Sequence, residues 1–219
     1  MCGRFTLLDR LNAVLEQFAV NANDDLQLPL FEHRYNIPPT QDVPIVRLVD
    51  SKRELAIALW GLIPSWTKDP KKTPLLNNAR AETVSEKPSF RSAFKSRRCI
   101  IPASGFFEWK TEGKTKLPFY FHRPDGQLVA FAGLWERWND IDTCSIVTTE
   151  ANAVMAPIHH RMPVILGLND YDEWLDTAFT EPGKLLTPCP DDEIVCYPVS
   201  TVVNNARNNV PECIEPTTN

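Results

Sequence analysis

The sequence predicts an α+β fold, a single antiparallel-rich domain over residues 1–219 in which a barrel-like curved sheet has flanking helices. Segments with the pattern of strands outnumber those with the pattern of helices, and several neighbouring pairs are separated only by short turn-forming stretches. The 219 residues include 19 prolines but eight glycines, a composition that disfavours long helices. A chain of this length with 43% hydrophobic residues can bury one sizeable core.

Two segments have the pattern of helices. Residues 7–19 are predicted to form an amphipathic helix with Thr6 as its N-terminal cap. The apolar positions that define this helix are Leu8, Leu11, Leu15 and Phe18. Residues 169–178 are predicted to form a second helix, and these two are the flanking helices of the expected fold.

Seven segments have the pattern of strands, namely residues 44–49, 54–60, 98–103, 117–122, 127–134, 143–149 and 193–199. We expect Lys52 and Arg53 to form a polar turn between the first two. The stretch Pro-Asp-Gly at 124–126 is a turn signal. Residues 117–122 and 127–134, which flank it, are therefore predicted to pair as a hairpin.

Composition excludes several classes of protein. No apolar run approaches the roughly 18–20 residues of a membrane helix, and the first residues lack the apolar region of a signal peptide. We therefore expect a soluble cytoplasmic protein, a monomer by default, whose six cysteines stay reduced. The chain has no CxxC motif and no His at helical spacing from a Cys or a carboxylate, so we expect no metal site.

Charge is distributed unevenly along the chain, whose formal net charge of −5 weakly disfavours a nucleic-acid partner. Residues 68–98 nevertheless hold nine Lys or Arg against three acidic residues, a local charge of +6. The rest of the chain, with 14 basic and 25 acidic residues, then carries −11. A basic stretch of this kind is typical of a polyanion-binding surface or of a solvated loop, and charge alone favours the loop.

The second residue has distinctive chemistry. Cys2 is small enough to permit removal of Met1, after which the chain begins with a 1,2-aminothiol. An α-amine has a reference pKa of about 7.7–8.0, so a fraction of it is neutral at physiological pH and can attack an aldehyde to form a Schiff base. The neighbouring thiolate can then close on the same carbon to give a thiazolidine ring. Taken alone, Cys2 is better explained as a residue without a role.

Six short segments, in a fixed order, combine polar side chains with apolar, proline-bounded surroundings. Their sequences are Met-Cys-Gly-Arg-Phe (1–5), Arg-Tyr-Asn-Ile-Pro-Pro (34–39), Trp-Gly-Leu-Ile-Pro-Ser-Trp (60–66), Asn-Ala-Arg-Ala-Glu-Thr (78–83), Gly-Phe-Phe-Glu-Trp (105–109) and Ile-His-His-Arg-Met-Pro (158–163). Together they make the chain resemble the SRAP (SOS-response-associated peptidase) family, which includes the HMCES-type proteins that crosslink to abasic DNA. The resemblance runs from residue 1 to about 200, and the tail at 201–219 is not diagnostic.

The resemblance implies the SRAP fold and a role in DNA damage. Family members use an N-terminal Cys to trap abasic sites in single-stranded DNA as a thiazolidine crosslink, and the open-chain abasic sugar is the aldehyde that an aminothiol needs. For this chain it implies abasic-site sensing with lyase-like chemistry, crosslink reversal and autopeptidase removal of Met1. The implied partner is single-stranded DNA containing abasic sites, which would bring the protein to the nucleoid, and no cofactor or membrane is implied.

Four catalytic positions follow from the resemblance. Cys2 supplies the amine and the thiol, and Asn78 resembles the asparagine that hydrogen-bonds near the reacting sugar, although the preceding Asn77 leaves a one-residue ambiguity. Glu108 lies among aromatic residues, where burial disfavours the charged carboxylate, so it suits proton transfer with the amine and the Schiff base. Histidine can donate or accept protons near neutral pH, and His159 is expected to protonate the sugar ring oxygen.

Other residues are expected to contact DNA. Arg4, Arg80 and Arg161 are expected to bind DNA phosphates. A structural salt bridge with Glu82 is the alternative for Arg80. Trp66 is expected to stack on a base, with a place in the core as its alternative. The full set of expected DNA contacts is Gly3, Arg4, Asn36, Pro39, Trp66, Arg80, Arg91 and Arg161, with Lys95 extending the basic track. Trp60, Trp109, Trp135 and Trp174 are expected in the core.

Two other classes of function remain open from the sequence. A Cys-dependent peptidase or amidohydrolase needs the Cys2 thiol but not a free amine. A non-catalytic module that binds single-stranded DNA needs neither. The crosslinking hypothesis predicts that initial binding weakens with salt, that the covalent product does not, and that a chelator has no effect.

Overall fold

The structure, a computed structural model, describes residues 2–20 and 32–217. Within these ranges twelve strands form two mostly antiparallel sheets, accompanied by three short helices. The strands are β1 (Phe5–Leu7), β2 (Arg34–Ile37), β3 (Asp42–Val49), β4 (Lys52–Trp60), β5 (Asn78–Arg80), β6 (Arg98–Ala103), β7 (Gly105–Glu112), β8 (Thr115–His122), β9 (Val129–Trp138), β10 (Ile141–Glu150), β11 (Arg161–Pro163) and β12 (Val195–Pro198). The helices are α1 (Leu11–Gln17), α2 (Arg91–Ser96) and α3 (Tyr171–Leu175). The predicted fold class is confirmed.

The larger sheet closes on itself. Its strands pair in the order β10-β4-β3-β6-β9, and β9 pairs in turn with β10, so these five strands form a barrel. The first half of β10 pairs in parallel with β4 at Thr143 and Cys144. Its second half leaves the barrel and holds β5 in parallel and β11 antiparallel. The length of β10 therefore brings residues 78–80 and 161–163 to one end of the barrel.

The smaller sheet, in the order β12-β8-β7-β1-β2, packs against the barrel through aromatic side chains. The Phe5 ring lies 5.0 Å from Trp60 and 5.9 Å from Phe131, and Phe106 lies 5.7 Å from Phe131. All four rings are fully buried, and burial of such large rings provides much of the stability of a core. Because β1 and β7 lie side by side, this packing also places Cys2 beside Glu108.

The first predicted helix and the first predicted hairpin are confirmed with different ends. The helix is α1, but its expected cap was wrong, because Thr6 lies in β1 and its buried hydroxyl contacts the Gly105 carbonyl and the Tyr120 hydroxyl. Strands 44–49 and 54–60 correspond to β3 and β4. Their turn is formed by Asp50 and Ser51, at φ of 47° and 62°, rather than by Lys52 and Arg53. Both of the latter belong to β4, whose pairing with β3 reaches Val49.

The predicted hairpin between residues 117–122 and 127–134 was wrong. The chain does turn at Pro124 and Asp125, but β8 pairs with β7 and β12, whereas β9 pairs with β6 and β10. The turn therefore passes from one sheet to the other. A strand such as β9, whose first six residues are all buried, gains more from two barrel neighbours than from a hairpin partner.

The remaining elements agree in part with the prediction. Strands at 98–103, 117–122, 127–134, 143–149 and 193–199 are confirmed as β6, β8, β9, β10 and β12. The helix predicted at 169–178 is shorter, because Leu168–Asp170 form a 3-10 turn and Asp176 is extended after α3. Five strands, β1, β2, β5, β7 and β11, and the helix α2 were not predicted as elements.

Residues 201–217 are folded onto the smaller sheet. They contain two 3-10 turns, Thr201–Asn204 and Pro211–Cys213, whose buried Val203 and Cys213 pack with Phe107 and Tyr120. The six cysteines all lie in the described ranges and are free thiols. Across residues 2–20 and 32–217, no helix is long and apolar enough to cross a membrane.

Candidate active site

A cleft of about 510 Å³ opens between β7 and the loops that lead to and from the barrel. Its lining residues are Arg4, Glu108, Trp109, Thr111, Lys116, His159 and Asn204. Three of the residues predicted to act in the site, Arg4, Glu108 and His159, therefore share one cavity. The cleft combines two permanent cations with a carboxylate and an imidazole, a set that can hold an anion and move protons.

Cys2, three residues before the start of β1, does not line this cleft but is close to Glu108, which does. Its side chain is fully buried, and the Sγ atom is 4.0 Å from the Arg4 carbonyl oxygen. Burial, together with the charge of the nearby Glu108, raises the pKa of the Cys2 thiol far above its ordinary value. Because Met1 precedes it in the chain, the Cys2 nitrogen is a peptide amide here, and the thiol is held in its neutral form.

Asn78 makes the direct contact with Cys2. Its side-chain Nδ2 donates a hydrogen bond of 2.9 Å to the Cys2 carbonyl oxygen. Its Oδ1 is buried and accepts no hydrogen bond from the part of the chain that the structure describes. Asn77 is engaged differently, since its backbone carbonyl accepts from the Trp60 Nε1 and from the Ile146 amide, each at 3.0 Å. The contact with Cys2 thus distinguishes the two asparagines.

Glu108 is a carboxylate in a nearly closed environment. Only 3% of its surface is exposed, yet it lines the cleft, and its charge acts on the Cys2 thiol. It is held in the middle of β7, opposite Phe119 of β8. Such a group can exchange protons with an atom at the Cys2 end of the cleft with little competition from water.

His159 reaches the cleft from the loop between β10 and β11. Its Nδ1 is 3.0 Å from the Arg161 amide nitrogen, which donates to it, and 3.0 Å from the Arg161 carbonyl oxygen. His160 stacks on the His159 ring at 4.5 Å, is exposed, and has its pKa lowered chiefly by the charge of His159. His159 is thus the member of the pair that faces the cleft.

Arg4 is held by three neighbours. Its NH1 donates to Asn36 Oδ1 at 2.6 Å and to the Val203 carbonyl at 2.9 Å. Its guanidinium lies 5.8 Å from the centre of the Trp109 ring. These contacts fix the guanidinium at the cleft wall while leaving other N–H groups available for an anion.

Arg161 and Glu82 form an ion pair at the barrel end. The Arg161 guanidinium donates to both carboxylate oxygens of Glu82, at 2.5 and 3.1 Å, and also to the Thr148 carbonyl at 2.6 Å. Hydrogen bonding to Arg161 lowers the pKa of Glu82. Arg80 is exposed at the end of β5, and within the described ranges it has no salt bridge to Glu82, so the alternative considered for Arg80 was wrong.

The other expected DNA contacts lie outside the cleft. Trp66 is 57% exposed on the loop after β4, so the alternative of a core position was wrong. Pro39 and Gly3 are half-buried, whereas Asn36 is 4% exposed. Arg91, on α2, borders a separate cleft together with Lys95 and Phe94.

Four cleft residues were not identified from the sequence, namely Trp109, Thr111, Lys116 and Asn204. Trp109 is not in the core as expected, because it is half-buried and its Nε1 donates to Asn204 Oδ1 at 2.7 Å. Trp60 and Trp174 are fully buried as expected, and Trp135 is half-buried against the core. Gly113, at φ 60°, and Lys114 form a two-residue hairpin turn, which pairs Thr111 of β7 with Lys116 of β8.

Residues 2–20 and 32–217 contain no group of three or more His, Cys, Asp or Glu that could hold a metal ion.

Comparison with known proteins places the chain in a family. The SOS response associated peptidase (SRAP) family matches residues 1–206. The chain is 45% identical to the abasic site processing protein YoqW of Bacillus subtilis, across 98% of this chain and 99% of that protein. It is 33% identical to the abasic site processing protein HMCES of Xenopus tropicalis, across 84% of this chain and 66% of that protein.

A solved structure agrees with this assignment. The crystal structure of a protein from Bacteroides thetaiotaomicron matches with a TM-score of 0.90 and 28% identity, over 99% of this chain and 100% of that one. The six motifs identified above all lie within the range that the family matches. This chain belongs to the SOS response associated peptidase family.

Proposed function

We propose that this protein captures abasic sites in single-stranded DNA by forming a covalent thiazolidine through Cys2 after Met1 has been removed. The observation that carries the proposal is the meeting of Cys2 with Asn78 and Glu108 beside a cleft that His159 also lines. The names of its relatives, abasic site processing proteins, support the same substrate.

The reaction is balanced without a cofactor. The Cys2 α-amine adds to the aldehyde of the ring-opened sugar and loses one water, giving a Schiff base. The thiol then adds across the C=N bond, so that sulfur bonds to carbon and the thiol proton moves to nitrogen. The product is a five-membered thiazolidine, and its mass is that of the two reactants minus one water.

The protonation states suit this order of steps. The environment that keeps the Cys2 thiol neutral also disfavours premature reaction of sulfur, so the amine is expected to react first. Glu108, nearly closed to water, can take the amine proton and return it during formation or reversal of the Schiff base. His159, which lines the cleft, can in its protonated form donate a proton to the sugar ring oxygen and open the ring.

The roles of the polar neighbours follow from their contacts. Asn78 holds the Cys2 carbonyl and presents an unused Oδ1 to the sugar. Arg4 offers its remaining N–H groups to a phosphate next to the reacting nucleotide. Arg80 and Trp66 are both exposed, and they extend the DNA contact beyond the cleft. The protein acts as a monomer.

Removal of Met1 by the same site is the second part of the proposal. The Cys2 thiol adjoins the Met1–Cys2 peptide bond, and Glu108 is close enough to act electrostatically on that thiol. A protein produced without methionine aminopeptidase should therefore still lose Met1, and Glu108→Gln should slow that loss. If Met1 persists in such material, processing depends on another enzyme, and the crosslinking proposal is unaffected.

A denaturing gel with intact-mass measurement tests the crosslink. The protein is mixed with single-stranded DNA carrying one abasic site, and the wild type is compared with Cys2→Ala and Cys2→Ser. We expect a denaturant-resistant adduct for the wild type, at the mass of protein lacking Met1 plus DNA minus water. Cys2→Ala should give no durable adduct, and Cys2→Ser should give only an adduct that requires borohydride trapping.

The same samples separate the competing functions. A wild type that begins with Cys2, binds the DNA and yields no adduct would indicate a non-catalytic binding module. A Cys-dependent amidohydrolase would retain activity after its α-amine is acetylated, whereas the crosslinking reaction should be lost. No durable adduct from a protein shown to begin with Cys2 would overturn the proposal.

A further inference from the structure

We infer that Asn36 is a positioning residue that holds Arg4 and the C-terminal segment, defined here as residues 201–209, as one wall of the cleft. Asn36 is 4% exposed and is not among the residues that line the cleft. It borders a separate cleft of about 370 Å³ with Arg34 and Arg207, and it reaches the active-site cleft through its hydrogen bond to Arg4. This inference rests on the proposed function, in which Arg4 contacts a phosphate.

The hydrogen bonds of the Asn36 amide group lead to two parts of the chain. Its Oδ1 accepts from Arg4 NH1 at 2.6 Å. Its Nδ2 donates to the carbonyl oxygens of Val203, Asn205 and Asn208, at 3.2, 3.1 and 2.9 Å. The Asn36 side chain thus connects Arg4, which precedes β1, to carbonyl groups that lie about 170 residues after Asn36 itself.

Arg4 completes this arrangement from its own side. The same NH1 that donates to Asn36 also donates to the Val203 carbonyl at 2.9 Å, so Arg4, Asn36 and Val203 form a closed triangle of hydrogen bonds. A triangle of this kind fixes the guanidinium orientation, since moving it breaks two bonds together. The burial of Asn36 makes an unpaired amide costly, which favours the intact arrangement.

The segment held by Asn36 forms part of the cleft. Asn204 lines the cleft and accepts a 2.7 Å hydrogen bond from Trp109 Nε1, and the Trp109 ring lies 5.8 Å from the Arg4 guanidinium. Further amide side chains secure the same segment, with Asn209 Oδ1 accepting from the Tyr35 amide at 2.7 Å. Asn36 therefore supports a wall of the cleft whose lining members are Arg4, Trp109 and Asn204.

A double-mutant cycle tests the link between Asn36 and Arg4. Affinity is measured without covalent reaction, using single-stranded DNA that carries a tetrahydrofuran abasic analogue. We expect Arg4→Ala and Asn36→Ala each to weaken binding by about tenfold, and the double variant to bind no more than about twofold more weakly than Arg4→Ala alone. Two effects that multiply would overturn the inference, because a general loss of structure acts independently of Arg4.

Hydrogen exchange supplies a measurement that needs no DNA. Asn36→Ala should increase amide exchange in residues 201–209 by at least about tenfold, while the barrel strands keep wild-type rates. The control is Gln17→Ala, which removes another bridging amide, one that accepts from the Leu128 amide and donates to the Leu128 carbonyl, each at 2.8 Å. It should change neither DNA affinity nor exchange in residues 201–209.

The outcomes distinguish this inference from the proposed function. If the wild type binds the analogue but forms no adduct with abasic DNA, the proposed reaction is overturned. The double-mutant cycle still tests the role of Asn36 in that case, because it measures binding without covalent reaction. A wild type that forms the adduct, with a multiplicative cycle, overturns the inference alone. If Asn36→Ala does not fold, Asn36→Ser, which keeps a polar group there, replaces it with the same expectations.

Discussion

The Asn78 side chain donates a 2.9 Å hydrogen bond to the carbonyl oxygen of Cys2, 76 residues earlier in the chain. Asn78 lies in β5, which is carried by the second half of β10. The hydrogen bond therefore ties the N-terminal peptide to a strand attached to the barrel. An N-terminal residue held in this way has its nitrogen and sulfur at fixed positions relative to the cleft, which is what an intramolecular ring closure requires.

Loss of the Asn78 side chain should slow the reaction more than it weakens the fold. Asn78→Ala removes one hydrogen bond, which costs about 1 kcal/mol of unfolding free energy. We expect the rate of adduct formation at saturating DNA to fall about 10- to 100-fold, because Cys2 is no longer held in place. Asn77→Ala is the matched control, since the contacts of Asn77 with Trp60 and Ile146 use its backbone carbonyl. Equal rates for the two variants would contradict the role of Asn78.

Opposite effects on DNA affinity are expected from the two members of the Arg161–Glu82 ion pair. Glu82→Gln removes a carboxylate that competes with phosphate for Arg161, so binding of single-stranded DNA should strengthen about two- to fivefold. Arg161→Ala should weaken it by about tenfold. Fluorescence anisotropy at constant salt measures both. Weaker binding by Glu82→Gln would show that the ion pair itself is needed for the DNA-binding geometry.

The same carboxylate gives a stability effect with a defined sign. Hydrogen bonding to Arg161 lowers the pKa of Glu82 in the folded protein, so its contribution is present above the unfolded pKa of about 4.3 and is lost as pH falls through the folded value. Because half of the Glu82 side chain is exposed, we expect only about 0.5–1 kcal/mol. Urea unfolding of the wild type and Glu82→Gln, at pH 7 and pH 3, measures the difference, which should shrink at the lower pH.

Trp66 should affect DNA binding without affecting stability. Its ring is 57% exposed, so Trp66→Ala should change the unfolding free energy by less than about 0.5 kcal/mol. Loss of one stacked base should cost about 1–3 kcal/mol of binding free energy, seen as a weaker dissociation constant for single-stranded DNA. Leu168→Ala, at a side chain that is 54% exposed, is the matched control. Similar affinities for the two variants would contradict stacking on Trp66.

Salt should act on binding but not on the covalent product. Each phosphate contact to single-stranded DNA contributes a slope of about −0.7 to the logarithm of the binding constant against the logarithm of salt concentration. Arg80→Ala should reduce the slope by about this amount, because the exposed Arg80 has no ion pair in the described ranges. Lys52→Ala, at an exposed site beside the β3–β4 turn, should leave the slope unchanged. If Arg80→Ala has the same slope as the wild type, Arg80 does not contact a phosphate.

Buried thiols predict a loss of stability at alkaline pH. Burial raises the pKa of Cys99 and Cys144 well above the ordinary value, so the folded protein keeps protons that the unfolded chain releases. Their contribution is complete below the unfolded pKa of about 8.5 and is lost as pH rises towards the folded values, by up to about 1.4 kcal/mol per thiol per pH unit. Urea midpoints between pH 8 and 10.5 measure this slope. Cys144→Ala should reduce it, and Cys196→Ala, at a half-buried thiol, should reduce it less.

Much of the fold follows from local pattern. Strand-like apolar runs identified β3, β4, β6 and the long strands β9 and β10, and in β4 the apolar residues also alternate along the chain. The short strands β1, β5 and β11 were not predicted, because three residues are too few to show a periodic pattern of apolar side chains. These are the strands that carry or adjoin Cys2, Asn78 and Arg161, so the elements hardest to predict are those that build the site.

By itself, the sequence determined the fold class, the family through six ordered motifs, and the residues expected to act in the site. Tertiary structure alone decided that β8 and β9 belong to different sheets and that Trp109 and Asn204 line the cleft. The physical reason is that turn signals and side-chain periods act over a few residues. Strand partners and buried hydrogen bonds, such as those of Asn36, join residues that are far apart in the chain. They depend on how the complete chain packs to bury its apolar and polar groups.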